Sequence, residues 1–530
     1  MTPRAENLGK IRGRDVWDLV VIGGGATGLG AALDAVTRGY RTLLLERDDF
    51  AKGTSSRSTK LIHGGVRYLE RGQVGLVREA LRERERLLRN APHLVHDRAF
   101  LVPAYAWWER PYYAAGLWAY DRLAGRLGRG RSRSVGTREA LRLAPTIEPI
   151  GLRGGVVYHD GQFDDARLAV ALMRTIDDLG GTVLNAMPVE GFLKTARGHL
   201  AGLRARDAET GETFEIAAKV VVNATGVFAD ALRRLDEPGA AGLTTPSRGA
   251  HLVLGRAFLP GETAILVPRT DDGRVLFAIP WHDRVIVGTT DTPVVRTEPE
   301  PRASRDELAF LLAHAARYLA ADPTPADVLS VFAGLRPLLS ADQGGTARGT
   351  ASLSREHAVV VAGSGLVTVT GGKWTTYRRM AEDAVDRAAR VGGLPERPCV
   401  TAETRLHGWL AAATDGPFAS YGSDASEVVR LARERPDPDA SLSPRLPYRE
   451  VEVVWAARRE AARTVEDVLA RRTRALLLDA RASAEAAPRV AALLAAELAL
   501  ISHQGMESGC LLCHRLIYHN HLRHQEKAAR

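Results

Sequence analysis

Apolar residues follow two rhythms along the chain. Short unbroken runs, "DLVVI" (18–22), "TLLL" (42–45), "KVVVN" (219–223) and "GLVTVT" (365–370), have the length and uniformity of strands buried inside a sheet. Between residues 246 and 330 the runs "HLVLG", "ETAILVP", "VLFAIPW" and "RVIVGTT" follow one another with Gly/Pro punctuation. That pattern predicts an antiparallel sheet. From about residue 400 the spacing changes. "VEVVWAARREAARTVEDVLARRTRALLL" sets apolar residues at helical intervals with charged faces between them. The pattern predicts an α/β chain that ends in an all-helical region.

The first run leads into a glycine turn. Gly23, Gly25 and Gly28 fit G-x-G-x-x-G, with Gly24 between the first two. Ala31 to Thr37 reads as a helix closed by Arg38-Gly39, and the next strand, Thr42 to Leu45, ends at Glu46. Glycines let the backbone approach a pyrophosphate, the helix N-terminus stabilises its charge, and a carboxylate about 20 residues on accepts ribose hydroxyls. A bare glycine turn explains none of the last part. The acidic residue fits an unphosphorylated ribose, so FAD or NAD rather than NADP.

Composition narrows the field further. The chain has 530 residues, 45% hydrophobic and 25% charged, which gives room for two or three soluble domains. No apolar run reaches the ~18 residues of a membrane-spanning helix, and the N-terminus lacks the apolar core of a signal peptide, so a cytoplasmic location is expected. Three cysteines, Cys399, Cys510 and Cys513, are too few for a disulfide framework. A net charge of +9 suits anionic partners. Nucleic acid is set aside, because there is no zinc-finger spacing, RNP signature or basic heptad helix.

"GTSSRSTKLIHGGVRYLERG" (53–72) chooses between the two dinucleotides. Its hydroxyls, Thr54, Ser55 and Ser58 among those from Thr54 to Thr59, could complete a pyrophosphate cradle. His63, Gly64 and Gly65 could lie flat against an isoalloxazine ring, where larger side chains would clash. "KVVVNATG" brings Ala224 and Gly226 to a small-residue turn, and "GLVTVTGGKWTTY" brings Gly371, Gly372 and Thr375 to a helix start. Together these blocks make FAD the cofactor.

The blocks "VIGGGATGLGAALDAVTRG", "TSSRSTKLIHGGVRYLE", "VVNATGVFAD", "FAIPWHDRVIVGTTDT", "GLRPL" and "GGKWTTYRRMAEDA" occur in the order found in the FAD-dependent glycerol-3-phosphate dehydrogenases, which the chain resembles from about 18 to 390. The resemblance implies oxidation of sn-glycerol 3-phosphate at C2 to dihydroxyacetone phosphate, with hydride passing to flavin N5 and electrons to a quinone. An oxidase that returns electrons to oxygen is the alternative on the same fold. Arg67, Arg336 and Lys373, each inside a matched glycine- or proline-bounded block, are the expected phosphate-binding cations. Tyr68 is expected to wall the pocket. His251 matches a family histidine beside the substrate and is expected to open a strand and act as base or hydroxyl-orienting group. Arg336 assisting proton removal is the rival assignment. "GTTDT" (288–292) reads as structural.

The expected architecture is a Rossmann-type FAD-binding domain made of 15–95, 156–245 and 330–395. A substrate- or membrane-facing domain follows from 96–155 and 246–329, with its inserted antiparallel sheet. A C-terminal all-helical cap covers 400–500, and 501–530 is a divergent tail. Tyr105 to Tyr120 holds seven Trp and Tyr residues, from a total of eight Trp and twelve Tyr, and is followed by an arginine-rich stretch. Such a segment suits peripheral contact with an anionic membrane, here the inner face of the cell membrane. The tail spells Cys510-Leu-Leu-Cys513-His514, the attachment pattern of c-type haem, yet no export signal accompanies it and no metal or haem site is expected. A homodimer is a candidate assembly.

Overall fold

Trp17–Ile22 is buried at every position but Asp18 because a parallel strand flanks it on each side, Thr42–Leu45 and Thr213–Asn223. The computed structural model of the chain describes residues 1–13, 15–65, 72–125, 130–271, 273–340, 356–411 and 415–503. The expectations for Arg67, Tyr68 and the Cys510–His514 tail motif lie outside these.

The first sheet runs in the order His357–Val361, Val367–Gly371, Thr213–Asn223, Trp17–Ile22, Thr42–Leu45, Thr182–Leu184. The pairings from Val367–Gly371 to Thr182–Leu184 are parallel. The helices Ala26–Thr37, Asp165–Asp178 and Tyr377–Val391 contribute Leu29, Leu33, Leu172, Met173, Ala381 and Val385 to one core with Leu19, Val21 and Val222 of the strands. The α/β, Rossmann-like reading of the N-terminal pattern corresponds to this layer.

The second sheet pairs Thr244–Gly255 with Arg284–Gly288 and Val328–Leu339, both antiparallel. It continues through Leu276–Trp281 and Ala264–Val267 to Val95–Pro103 and Gly155–Phe163. One junction, Ala264–Val267 with Val95–Pro103, is parallel. The expected boundaries at 156 and 330 fall inside the strands Gly155–Phe163 and Val328–Leu339, and both of these strands join the second sheet. Their apolar runs do not reveal which sheet they enter, since register with a distant strand decides that. The segment 246–329 also contains a helix, Arg305–Ala316, started by a capping box of Ser304 and Glu307.

Two further expectations shift. The helix after the glycine turn begins at Ala26 rather than Ala31, with Gly25 at its N-cap. Its internal glycines are kept by packing, which outweighs their poor helix propensity: a Cβ on Gly30 would lie 2.8 Å from the Tyr377 ring. His251 sits in the middle of Thr244–Gly255 rather than at its start, paired with Phe332 on one side and Gly288 on the other.

The C-terminal region forms the helices Ala425–Arg433, Glu450–Arg459, Ala475–Leu478 and Ala480–His503. Leu469, Leu477, Val490 and Leu494 share a core with Val253, Trp281, Ile286 and Phe332 of the second sheet. The helical cap therefore covers the sheet face on which His251, stacked on Phe332, also lies. Among the described residues, no helix is long and apolar enough to cross a membrane.

Candidate functional site

The glycine turn is shaped so that only glycine fits at two of its corners. Gly23 has φ +112°, and a Cβ there would approach the Ala224 carbonyl oxygen to 2.7 Å. A Cβ on Gly28 would come within 1.9 Å of the Gly23 carbonyl oxygen. The turn thus delivers the N-terminus of Ala26–Thr37 with no N-cap side chain over it. Backbone donors and the helix dipole are left to face an anion there. A pyrophosphate matches that cradle in size and charge, so these residues fit FAD.

Glu46 is the half-buried carboxylate at the end of the second strand. Its two oxygens accept from Gly24 N at 2.6 Å and Asp48 N at 2.8 Å. Burial raises its pKa and the two backbone donors oppose that rise. A carboxylate has about four acceptor positions, so Glu46 can shape the loop and still take ribose hydroxyls.

The hydroxyls between Thr54 and Thr59 divide their duties more than expected. Ser55 Oγ accepts from Ala26 N at 2.9 Å, which sets it at the helix N-terminus beside the glycine turn. Thr54 donates to the Leu335 carbonyl at 2.6 Å. Ser58 donates to buried Asp165 at 2.7 Å, so its hydroxyl is engaged by protein. Thr59 meets His251, with Oγ1 and Nε2 2.9 Å apart.

Gly64 does need to lack a side chain, but a protein group is one reason. A Cβ there would strike the Tyr120 hydroxyl at 2.2 Å and Leu81 at 2.7 Å. Gly65 and Gly226 have positive φ, at +78° and +59°. Gly371 and Gly372 do too, and a Cβ on Gly371 would meet the Glu356 carbonyl at 2.5 Å. The next residues pull the helix start onto the other loops. Trp374 Nε1 donates to the Ser55 carbonyl at 2.8 Å, and Thr375 Oγ1 reaches the His63 carbonyl at 3.5 Å.

These loops enclose a cavity of about 650 Å³. One end is polar and carries Thr59, His251, Arg336 and Lys373 together with His63 and Thr375. Two of the three expected cations therefore share one cavity with the expected base, though they come from strands and loops far apart in the chain. The other end is apolar, with Phe100, Tyr113, Leu117, Leu266 and Phe277 in its wall.

Arg336 is held by the "GTTDT" segment, Gly288 to Thr292. Its guanidinium donates to Thr289 Oγ1 at 3.0 Å and the Thr290 carbonyl at 3.0 Å, and lies 3.3 Å from Asp291 Oδ1. Ser247 donates a short hydrogen bond to the same carboxylate. "GTTDT" is thus the scaffold of the cation, and Thr289 and Asp291 themselves line the cavity. A threonine pair before an aspartate is too common a string to announce this.

His251 stacks on Phe332 at 4.6 Å and 9°. Burial, then the charges of Lys60 and Arg336, lower its pKa well below the ordinary histidine value, so the imidazole is neutral. Lys60 itself is fully buried. Its ammonium lies 2.6 Å from Asp165 Oδ2 and 2.8 Å from the Ser56 carbonyl, and burial pulls its pKa down to about 7 despite the Asp165 charge. Sequence reasoning passed over both residues: a lysine inside a basic loop and an aspartate after a strand carry no individual signal.

Comparison with known proteins adds the lineage. Residues 18–378 match the FAD-dependent oxidoreductase family, and residues 366–504 match the C-terminal domain of alpha-glycerophosphate oxidase. A mitochondrial glycerol-3-phosphate dehydrogenase of Arabidopsis thaliana is 42% identical over 91% of this chain and 83% of its own length. The mitochondrial enzyme of Homo sapiens is 39% identical over 93% of this chain and 72% of its own. Among solved structures, glycerol-3-phosphate dehydrogenase from Bacillus halodurans complexed with FAD superposes with a TM-score of 0.77 at 29% identity. That match covers 99% of this chain and 97% of the other. On the matched motifs, the fold and these likenesses, the chain belongs to the family of FAD-dependent glycerol-3-phosphate dehydrogenases.

Proposed function

We propose that the protein oxidises sn-glycerol 3-phosphate to dihydroxyacetone phosphate at the polar end of the cavity and passes the electrons to a quinone. The observation that carries this reading is that one cavity is lined both by Arg336, Lys373 and His251 and by the apolar cluster of Phe100, Leu117 and Leu266. Arg336 and Lys373 would hold the phosphate, the first through a planar fork already oriented by Asp291, Thr289 and the Thr290 carbonyl. Arg67 is the third proposed cation and Tyr68 a proposed wall. His251, neutral at physiological pH, would take the hydroxyl proton. FAD, when bound, supplies the acceptor for the hydride leaving C2. Gly23 to Gly28, Glu46 and Ser55 would bind its dinucleotide portion, and His63 to Gly65 with Gly371, Gly372 and Thr375 would border its ring.

The apolar part of the lining supports a lipophilic second substrate. Tyr113 and Leu117 of the helix Glu109–Ala124 belong to it. Outside, Trp107, Trp108 and Trp118 are 77%, 48% and 57% exposed, and Tyr112, which also touches the cavity, is 55% exposed. Amphipathic aromatics of this kind favour a bilayer interface, so peripheral attachment belongs to the same reading. Reoxidation decides the acceptor. Enzyme reduced under argon by glycerol 3-phosphate should be reoxidised much faster by a short-chain quinone than by dissolved oxygen. Faster reoxidation by oxygen would make the protein an oxidase.

A further inference from the structure

We propose that the hydroxyl of Thr59 carries the substrate proton to His251, so that the two residues act as a single acid–base pair. The inference rests on the glycerol 3-phosphate reading and assigns its proton path.

His251 lines the cavity but presents little surface to it. Only 2% of it is exposed. Its ring is clamped between Phe332, stacked at 4.6 Å, and Gly288, where even a Cβ would come within 2.2 Å of the ring's Cδ2. Packing on both sides therefore holds the imidazole in this orientation. Among the described residues its one hydrogen bond is Nε2 to Thr59 Oγ1, at 2.9 Å, and Nδ1 is buried without a partner. Thr59, by contrast, is only half-buried and lines the polar end of the cavity. Of the two residues, the one bearing the hydroxyl is the more exposed.

A hydroxyl both donates and accepts, so it can take one proton while giving up another. As the C2 hydroxyl of the substrate transfers its proton to Thr59 Oγ1, the proton of Thr59 moves to His251 Nε2. The C2 hydrogen leaves with its electron pair to the FAD that the family employs. Thr59 ends unchanged, His251 ends protonated, and the substrate has lost two hydrogens to become the ketone.

Burial, and after it the charges of Lys60 and Arg336, keep the ring neutral before substrate arrives. Each is countered, Lys60 by Asp165 at 2.6 Å and Arg336 by Asp291 at 3.3 Å. A phosphate dianion on Arg336 would add negative charge and make the imidazolium easier to form once the site is filled.

Two measurements test this on the FAD-loaded enzyme. In stopped-flow reduction by glycerol 3-phosphate, Thr59→Val should be slowed ~10²–10³-fold with KM altered only a few-fold, while Thr59→Ser retains most of the rate. Valine reducing as fast as wild type would overturn the relay. Independently of any Thr59 variant, nitrogen-15 NMR of the histidines, assigned with His251→Gln, should find the proton of His251 on Nδ1 and Nε2 accepting. A proton on Nε2 in the resting enzyme would leave it unable to receive one and would overturn the relay even if the valine variant failed to fold. If wild-type enzyme is not reduced by glycerol 3-phosphate at all, the substrate reading fails, and the NMR result still judges the pair.

Discussion

Asp49 and Arg472, 423 residues apart in the chain, meet in a buried two-pronged ion pair with both contacts at 2.8 Å. Arg471 adds a third contact to the same carboxylate at 2.5 Å. Asp49 lies three residues past Glu46, so the helical cap grips the loop that shapes the proposed ribose site. Burial pushes the Asp49 pKa up, but the charges of Arg472 and Arg471 outweigh it and hold the carboxylate well below its usual range. Replacing Asp49 with Asn takes the carboxylate from buried Arg472, while Arg471 keeps Glu466 and Asp467, and should cost ~3–5 kcal/mol of stability. The folded-state pKa is depressed, so this contribution is present above ~pH 4 and is lost as pH falls below it. Thermal melting of wild type and Asp49→Asn should converge in acid; a constant difference across pH would refute the assignment.

His407 has the opposite sign. Its Nδ1 lies 2.6 Å from Asp178 and its Nε2 2.7 Å from Asp424, which ties the end of one helix to the loop before another. Burial alone would lower its pKa, but hydrogen bonds to the two carboxylates raise it overall. Its stabilisation is therefore full below ~pH 6.5 and declines as pH rises through the higher folded-state value. His407→Gln should lower Tm in mildly acidic buffer and have less effect in alkaline buffer. Equal losses in both would contradict the charged bridge.

The cradle prediction is steric. Gly28→Ala places a methyl 1.9 Å from the Gly23 carbonyl oxygen, so the purified protein should lack the yellow colour of bound flavin. Gly75→Ala is the control. It sits in the helix Val74–Asn90 with nothing within 4 Å of its Cβ position, and should keep the colour while adding up to ~1 kcal/mol of stability. Retention of FAD by Gly28→Ala would show that the turn can be rebuilt without that glycine.

Much of this was legible in the sequence, and what was missed has a common cause. The strand at Trp17–Ile22, the glycine turn and Glu46 are local signals whose spacing is fixed by one strand–turn–helix unit. Gly64 was read as making room for a flavin ring, but part of that room is occupied by Tyr120 from a helix that begins 45 residues later in the chain. Thr59 was read as a phosphate ligand because hydroxyl-rich loops usually are. Its position opposite His251 depends on the register of the strand Thr244–Gly255, nearly 200 residues on. Lys60 with Asp165 and Arg336 with Asp291 are likewise pairs that only the assembled sheets create.

The exposed aromatics give a prediction separable from chemistry. Trp107, Trp108 and Trp118 replaced together by Ser should abolish cosedimentation with anionic liposomes at low salt. Flavin reduction by glycerol 3-phosphate in solution should be unchanged, because none of the three lines the cavity. Undiminished liposome binding would move the membrane contact elsewhere.

The central claim is that Arg336 helps to bind a phosphate-bearing alcohol beside a flavin, and one anaerobic titration tests it. Glycerol 3-phosphate should bleach the visible flavin band of the wild-type enzyme, and glycerol, which lacks the phosphate, should not. Arg336→Ala should hold its FAD yet need about 10- to 100-fold more glycerol 3-phosphate for half-maximal bleaching, the loss expected for a charge-assisted contact. Equal bleaching by glycerol, or an unshifted titration in the alanine variant, would contradict the account.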